Sequence, residues 1–277
     1  MGIFVSVEKT VECIIVALCF AALLTMSSVK LLGALQACNY SGAKLMRWAR
    51  KRNNMSFERL ALLAMLCALS CAVVSLCFSF AGEWSAVVGL LPYAIFFGLY
   101  IYADGKIALR VPAVRTKRFI RLEVVLFVVC AIISYIIITL VNFAAEVWQQ
   151  PMFYVLRYCL LAVLPLILLP LVCLSNAIAK IYEVPHNRAY IRKASEKIAA
   201  SGITVVGITG SYGKTSTKNI LTAILGKKFR VLATPRSHNT PIGISLAVNA
   251  NNLEDYDVFI AEMGARNVGD IAELCAI

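Results

Sequence analysis

The sequence predicts two unlike parts in one chain: a membrane α-helical bundle of about five transmembrane helices over residues 1–180, and a partial α/β domain with a parallel sheet over residues 203–277. A connector helix is expected between them, at residues 181–202. Three observations predict this. The chain is 277 residues long, 60% hydrophobic, with mean hydropathy +0.79, against roughly 45–50% apolar residues in soluble domains. The apolar residues gather in long runs before Lys180 and give way to mixed sequence after it. That later part begins as a short β-branched run, a Gly-rich loop and a helical pattern, the order of a strand, loop and helix unit.

A hydrocarbon core takes about 20 residues of helix. Apolar stretches near that length are Cys13–Val29, Leu60–Ala81, Ser85–Ala103, Val124–Phe143 and Tyr158–Ile178. The first is the shortest, and extends to Cys38 if the Lys30 ammonium reaches the headgroups. A cleaved signal peptide competes for this run. However, its leading segment M-G-I-F-V-S-V-E-K-T has no net side-chain charge and no A-x-A-like site follows, so a retained span is expected.

Charge sets the orientation. The connection after the first span holds Lys44, Arg47, Arg50, Lys51, Arg52 and Arg59, and the one after the third holds Lys106, Arg110, Arg115, Lys117, Arg118 and Arg121. The alternating connections, near Glu83 and Glu146, hold no Lys or Arg. Basic short loops stay on the cytoplasmic side, so the N-terminus is expected outside and everything after Ile178 inside. The same placement accounts for the net charge of +12 without a nucleic-acid partner, which would want basic residues interleaved with aromatics on a soluble face. Glu12, Glu123 and Arg157 sit at span ends, where they read as interfacial anchors rather than a proton path. Pro92, Pro165 and Pro170 are expected to kink their helices.

Of the 10 cysteines, Cys13, Cys19, Cys67, Cys71, Cys77, Cys130, Cys159 and Cys173 lie in apolar runs, as small hydrophobes. Cys38 and Cys275 stand alone, no C-x-x-C occurs, and the histidines are His186 and His238, so no zinc-ligand spacing can be assembled.

After the last span, Pro185 is expected to break the chain. Residues 187–200 then place Tyr190, Ile191, Ala194 and Ile198 on one helical face, ended by Gly202. Strands are expected near 203–208, 230–234 and 257–262. Between the first strand and the helical pattern N-I-L-T-A-I-L-G-K-K lies T-G-S-Y-G-K-T-S-T-K, so Thr209, Gly210, Ser211, Tyr212, Gly213, Lys214, Thr215 and Ser216 are candidate phosphate-binding residues. The two glycines let the backbone turn and bring N–H groups to phosphate oxygens, Lys214 sets a point charge on the terminal phosphates, and Thr215 offers a hydroxyl to Mg²⁺. Gly and Lys are common in ordinary turns, but the strand before and helix after favour the P-loop reading.

The position five before Gly213 is Ile208, where the general G-x-x-x-x-G-K-S/T pattern has Gly. The string G-I-T-G-S-Y-G-K-T-S-T-K instead resembles the Mur ligase family, and its T-G-S-x-G-K-T-S-x-K form looks most like the D-alanyl-D-alanine-adding branch. Two further segments are similar in order and spacing: T-P-R-S-H-N-T-P-I-G-I, with Asn239 and Gly243 at matching positions, and D-V-F-I-A-E-M-G-A, ending a strand in Glu262.

The resemblance implies an ATP-dependent ligase of peptidoglycan synthesis in the bacterial cytoplasmic membrane. It implies ATP and Mg²⁺ as cofactors, and a UDP- or lipid-linked muropeptide and D-alanyl-D-alanine as substrates joined through an acyl phosphate. Lys214 would act on the transferred phosphoryl group, Thr215 and Glu262 would hold the metal, and His238 and Asn239 would face the substrate or γ-phosphate. The family's UDP-binding domain has no counterpart before residue 203. Its second metal region, adenine contacts and amine-binding domain are not found by residue 277, so the chain as given is expected to be a fragment that binds nucleotide weakly and ligates nothing. An ATP-driven transporter is disfavoured by the short separation of Thr215 from Glu262. A non-catalytic membrane scaffold stays open.

Overall fold

A computed structural model describes residues 7–51, 113–148, 163–265 and 267–277, with residues 66, 70, 94–99, 101–102, 156 and 159–161. The expected spans Leu60–Ala81 and Ser85–Ala103 lie largely outside the described residues, as do Arg52, Arg59, Glu83, Lys106, Arg110 and Arg157. The chain divides into two compact units, Met1–Lys180 and Ile181–Ile277.

In the first unit the described helices are α1 (Val7–Ser27), α2 (Val29–Ala37), α3 (Gly42–Ala49), α4 (Lys117–Trp148) and the beginning of α5 (Leu168–Ser201), the last preceded by a 3-10 turn at Leu164–Ile167. The core repeats at helical spacing: Val16, Phe20 and Leu24 on α1, and Leu122, Leu126, Cys130 and Ile138 on α4, are buried together. The opposite face of α4 is equally apolar, with Val124, Val128, Ile132, Ile136, Leu140 and Phe143 exposed. A helix apolar all round suits an apolar surround. Among the described residues, three helical segments are long and apolar enough to cross a membrane: Thr10–Ser27, Lys117–Trp148 and Cys159–Ser201. That is three where about five were expected, the other two falling largely where the structure is not described.

The first apolar run does not continue as one helix to Cys38. It breaks at Ser28, where the Thr25, Ser27 and Ser28 hydroxyls donate to the carbonyls of Ala21, Leu24 and Thr25 at 2.8, 2.7 and 2.7 Å and compete with the helix ladder. The chain then leaves α2 through Asn39 and Tyr40, both left-handed at φ 54° and 55°. Asn176 of α5 holds this turn by donating to the Tyr40 carbonyl at 2.9 Å.

Pro185 does not end a helix. α5 runs through it to Ser201, and the expected separate connector helix is the end of this one. Proline leaves the Ile181 carbonyl without its helical donor. Ile181 is 76% exposed and Pro185 is exposed as well, so water can take the carbonyl.

The second unit carries a three-stranded parallel sheet of order β1-β3-β2, with β1 at Thr204–Ile208, β2 at Val231–Ala233 and β3 at Val258–Glu262. The central strand V-F-I-A-E is buried at every position, the continuous apolar run expected of a covered parallel strand. The helices are α6 (Lys214–Leu225), α7 (Pro241–Ala250) and α8 (Asp270–Cys275), with a 3-10 turn at Leu253–Asp255. Ala194 of α5 joins the core with Leu232, Val248, Phe259 and Leu274. Lys197 donates to the carbonyls of Val248 and Asn251 at the end of α7, where the helix dipole favours a cation. Register pairs Ile208 with Glu262, so the Gly-rich loop and the strand-end carboxylate lie at the same end of the sheet.

Candidate functional site

The loop from Thr209 to Gly213 leaves β1 and enters α6. Gly210 at φ 155° and Gly213 at φ 76° take backbone conformations that side chains resist, and Gly213 caps the helix in the left-handed region. The first turn of α6 therefore opens onto the loop with its free N–H groups, the usual setting for a bound phosphate. Lys214 lies across the loop and donates to the carbonyls of Gly210 and Ser211. Thr209, Gly210, Ser211, Tyr212, Gly213 and Ser216 are exposed, Tyr212 at 94%.

Glu262 is the centre of the arrangement. It is 1% exposed, and four groups fix it. The Thr215 hydroxyl donates to Oε2 at 2.9 Å, the Lys218 ammonium lies 3.2 Å from the same oxygen, and the Asn239 amide donates to Oε1 at 3.3 Å. From below, the Glu262 backbone N–H donates to the Thr234 hydroxyl at 3.1 Å. Burial pushes the Glu262 carboxyl up, but hydrogen bonds from Thr215, Lys218 and Asn239 and the charge of Lys218 outweigh it and hold the carboxyl below its usual range. The group is an anion held in place.

Asn239 is placed by a close backbone approach. Its carbonyl accepts from Gly264 N–H at 2.9 Å, and a Cβ on Gly264 would stand 2.8 Å from its Cγ. Glycine two residues after Glu262 is what lets Asn239 reach the carboxylate. His238 is not brought to that group: its ring is half-buried, and Nδ1 is buried without a hydrogen-bond partner among the described residues. Its main chain instead packs on Gly243, whose added Cβ would lie 3.1 Å from the His238 Cβ.

Whether the site suits Mg²⁺ is a question of donors. Among the described residues no group of three or more His, Cys, Asp or Glu is placed to hold a metal. Two oxygens, Thr215 Oγ1 and Glu262 Oε2, stand 2.9 Å apart, close to the roughly 3 Å edge of an octahedron with bonds of about 2.1 Å. An oxygen pair completed by water and phosphate is how Mg²⁺ is commonly held, so these residues fit it.

Of the expected site residues, the structure brings Thr215, Glu262 and Asn239 together, sets Lys214 on the loop beside them, and leaves His238 apart. Lys218 is the residue that motif reading passed over. It is buried, donates to the Arg236 carbonyl and pairs with Glu262. The signal was available in the spacing: Lys218 lies three and four positions after Thr215 and Lys214 on one helix, hence on the same face. Thr234, which directly follows β2, was missed as well.

Residues 208–277 match the family described as Mur ligase middle domain. The chain is 38% identical over 124 residues to the UDP-N-acetylmuramoyl-tripeptide--D-alanyl-D-alanine ligase of Mycobacterium tuberculosis, an alignment covering 41% of this chain and 24% of that protein. The protein of the same name from Bacillus subtilis is 41% identical over 70 residues, 25% of this chain and 15% of its own length. That from Treponema pallidum is 36% identical over 72 residues, 26% and 16% of the two lengths. The matched chain thus spans about a quarter or less of each relative. No solved structure matches. The C-terminal unit is thus similar to the Mur ligase middle domain, and its Gly-rich loop, Asn239 and Glu262 all lie within the matched residues.

Proposed function

We propose that the chain belongs to a membrane-anchored, ATP-dependent ligase of peptidoglycan precursor synthesis, whose C-terminal unit binds Mg-ATP. The observation that carries this reading is the contact of Thr215 with Glu262 at 2.9 Å, which joins the start of the helix after the Gly-rich loop to a buried carboxylate on the neighbouring strand. Bound Mg²⁺ would supply positive charge to the transferred phosphoryl group. Backbone N–H groups from Gly210 to Thr215 would hold the phosphates, Lys214 would move from the loop carbonyls to their charge, and Asn239 would keep the carboxylate turned toward Thr215. These are positioning and electrostatic roles, which is most of what phosphoryl transfer asks of a protein.

The finer reading follows the relatives' names. The carboxylate of a UDP- or lipid-linked muropeptide would take the γ-phosphoryl group, and the amine of D-alanyl-D-alanine would then displace phosphate to form the amide. The apolar helices of the first unit would hold the ligase in the bilayer of the cytoplasmic membrane, with the N-terminus outside and the nucleotide unit inside.

Titrating a fluorescent ATP analogue against the detergent-solubilised full chain, with and without Mg²⁺, tests the nucleotide reading. Lys214→Ala is expected to weaken Mg-nucleotide binding at least tenfold. Glu262→Ala is expected to remove most of the Mg²⁺ dependence while sparing metal-free affinity. Wild-type affinity in both variants would withdraw the roles given to Lys214 and Glu262.

A further inference from the structure

Lys218 stands beside the oxygen pair that would hold a divalent cation. Its ammonium is 3.2 Å from Glu262 Oε2, the oxygen that also accepts from Thr215, and its side chain is 3% exposed. It is held by a second acceptor, the Arg236 carbonyl, and Arg236 takes a left-handed conformation at φ 48°. A lysine bound at two points in a buried setting does not swing away as a surface lysine does. The carboxylate that would draw a metal is therefore already neutralised by a fixed charge within the fold.

Electrostatics gives this arrangement a consequence. A lone Glu262 anion beside a threonine hydroxyl would attract a free divalent ion. With Lys218 in place the pair has no net charge, and an arriving ion meets the ammonium as well as the carboxylate, in surroundings that screen little. The balance changes only when further negative charge enters the site, and phosphates on the Gly-rich loop supply it.

We propose that Lys218 is a positioning residue that makes the site refuse free divalent ions and accept them only with a polyphosphate. This deepens the Mg-ATP reading and rests on it. The same geometry gives Lys218 a second effect: it holds the Glu262 carboxylate in place when no metal is there.

The test uses the whole 277-residue chain in detergent and Mn²⁺ as the probe, followed by its free-ion electron paramagnetic resonance signal, without nucleotide. Wild type is expected to show no site-specific Mn²⁺ binding below millimolar concentration. Lys218→Gln, which keeps a donor for the Arg236 carbonyl but removes the charge, is expected to bind Mn²⁺ at least tenfold more tightly. The double variant Lys218→Gln with Glu262→Gln should lose that gain. Thermal unfolding gives an independent readout: Mn²⁺ should raise the midpoint of Lys218→Gln, even if that variant is less stable at the outset, and leave wild type unchanged. Equal or weaker Mn²⁺ binding by Lys218→Gln, or no stabilisation of it by Mn²⁺, overturns the inference. Failure of wild type to bind nucleotide with Mg²⁺ overturns the parent reading instead, and the nucleotide-free comparison of the variants does not depend on it.

Discussion

Glu262 shows how much one buried carboxylate can determine. Its carboxyl is held below the usual range by Thr215, Lys218 and Asn239 in spite of burial, so it contributes stability that is fully present above its unfolded value near 4.5 and is lost as pH falls through the lower folded value. Asp257, held low by Arg230, titrates in the same direction, so the two must be separated by substitution. Melting temperatures measured between about pH 6 and pH 3 should fall less steeply in Glu262→Gln than in wild type; parallel curves would mean that the carboxyl is not held down. Gly264 is the second residue to probe. A methyl group there meets the Asn239 amide at 2.8 to 3.1 Å, so Gly264→Ala should cost about 1–3 kcal/mol of stability in denaturant unfolding and weaken the Mg²⁺ dependence of nucleotide binding by displacing Asn239. Stability equal to wild type would show that Asn239 moves aside freely. Thr215, Asn239 and Glu262 were legible in the sequence because each falls in a motif with its own spacing. Lys218 ends the same T-G-S-Y-G-K-T-S-T-K string and shares a helix face with Thr215, but its pairing with Glu262 depends on β3 passing beside α6, which the string does not show.

Among the elements, the three strands were expected near 203–208, 230–234 and 257–262, and the sheet places them at Thr204–Ile208, Val231–Ala233 and Val258–Glu262. They were legible because β-branched and apolar runs sit between clear loop signals. The order β1-β3-β2 was not, since which strand lies in the middle depends on packing. Burial shows it afterwards, through V-F-I-A-E covered at every position. The first span was expected at Cys13–Val29 and α1 ends at Ser27, so only the conditional extension to Cys38 fails, whereas the break expected at Pro185 does not occur. Three hydroxyls within four residues end α1, and exposure of Ile181 and Pro185 leaves room for water to take the carbonyl that the proline cannot bond. If water stands in for the missing donor at Ile181, Pro185→Ala should restore a backbone bond and stabilise α5 locally, by at most about 3 kcal/mol. Hydrogen exchange at residues 182–189 should slow accordingly. Unchanged exchange would show that the helix is already closed there by another route.

At the scale of the whole chain, two partitions coincide: the compact units divide after Lys180, and the candidate spans lie mainly before that point, with only the last running on to Ser201. The first unit exposes apolar side chains along α4 and α1, including Ile14, Ile15, Leu18, Val128 and Leu140. In water, so long an apolar surface would drive association; in a bilayer it is the ordinary outer face of a helix. The basic residues bear on which way the chain sits. Lys44, Arg47, Arg50 and Lys51 belong to or follow α3, Arg115 precedes α4, and Lys117, Arg118 and Arg121 lie in its first turns. Gln36, near the end of α2, ties these regions by exchanging hydrogen bonds with the Val114 backbone at 2.9 and 3.0 Å, and the Arg118 guanidinium lies 3.9 Å from the centre of the Tyr40 ring. The basic groups therefore gather at one end of the unit, and positive charge near span ends favours the cytoplasmic side. The turn at Tyr40 also bonds to Asn176 on α5, one turn before the chain leaves the unit at Lys180, so α5 departs from that same basic end. The second unit is then expected on the cytoplasmic side, where the ATP of the proposed reaction is available. A protease site engineered after Ile277 should resist cleavage in intact spheroplasts and be cut once the membrane is permeabilised, while a site before α1 should be cut from outside in both. Cleavage after Ile277 from outside intact cells would reverse the orientation and, with it, the assignment of the second unit to ATP chemistry.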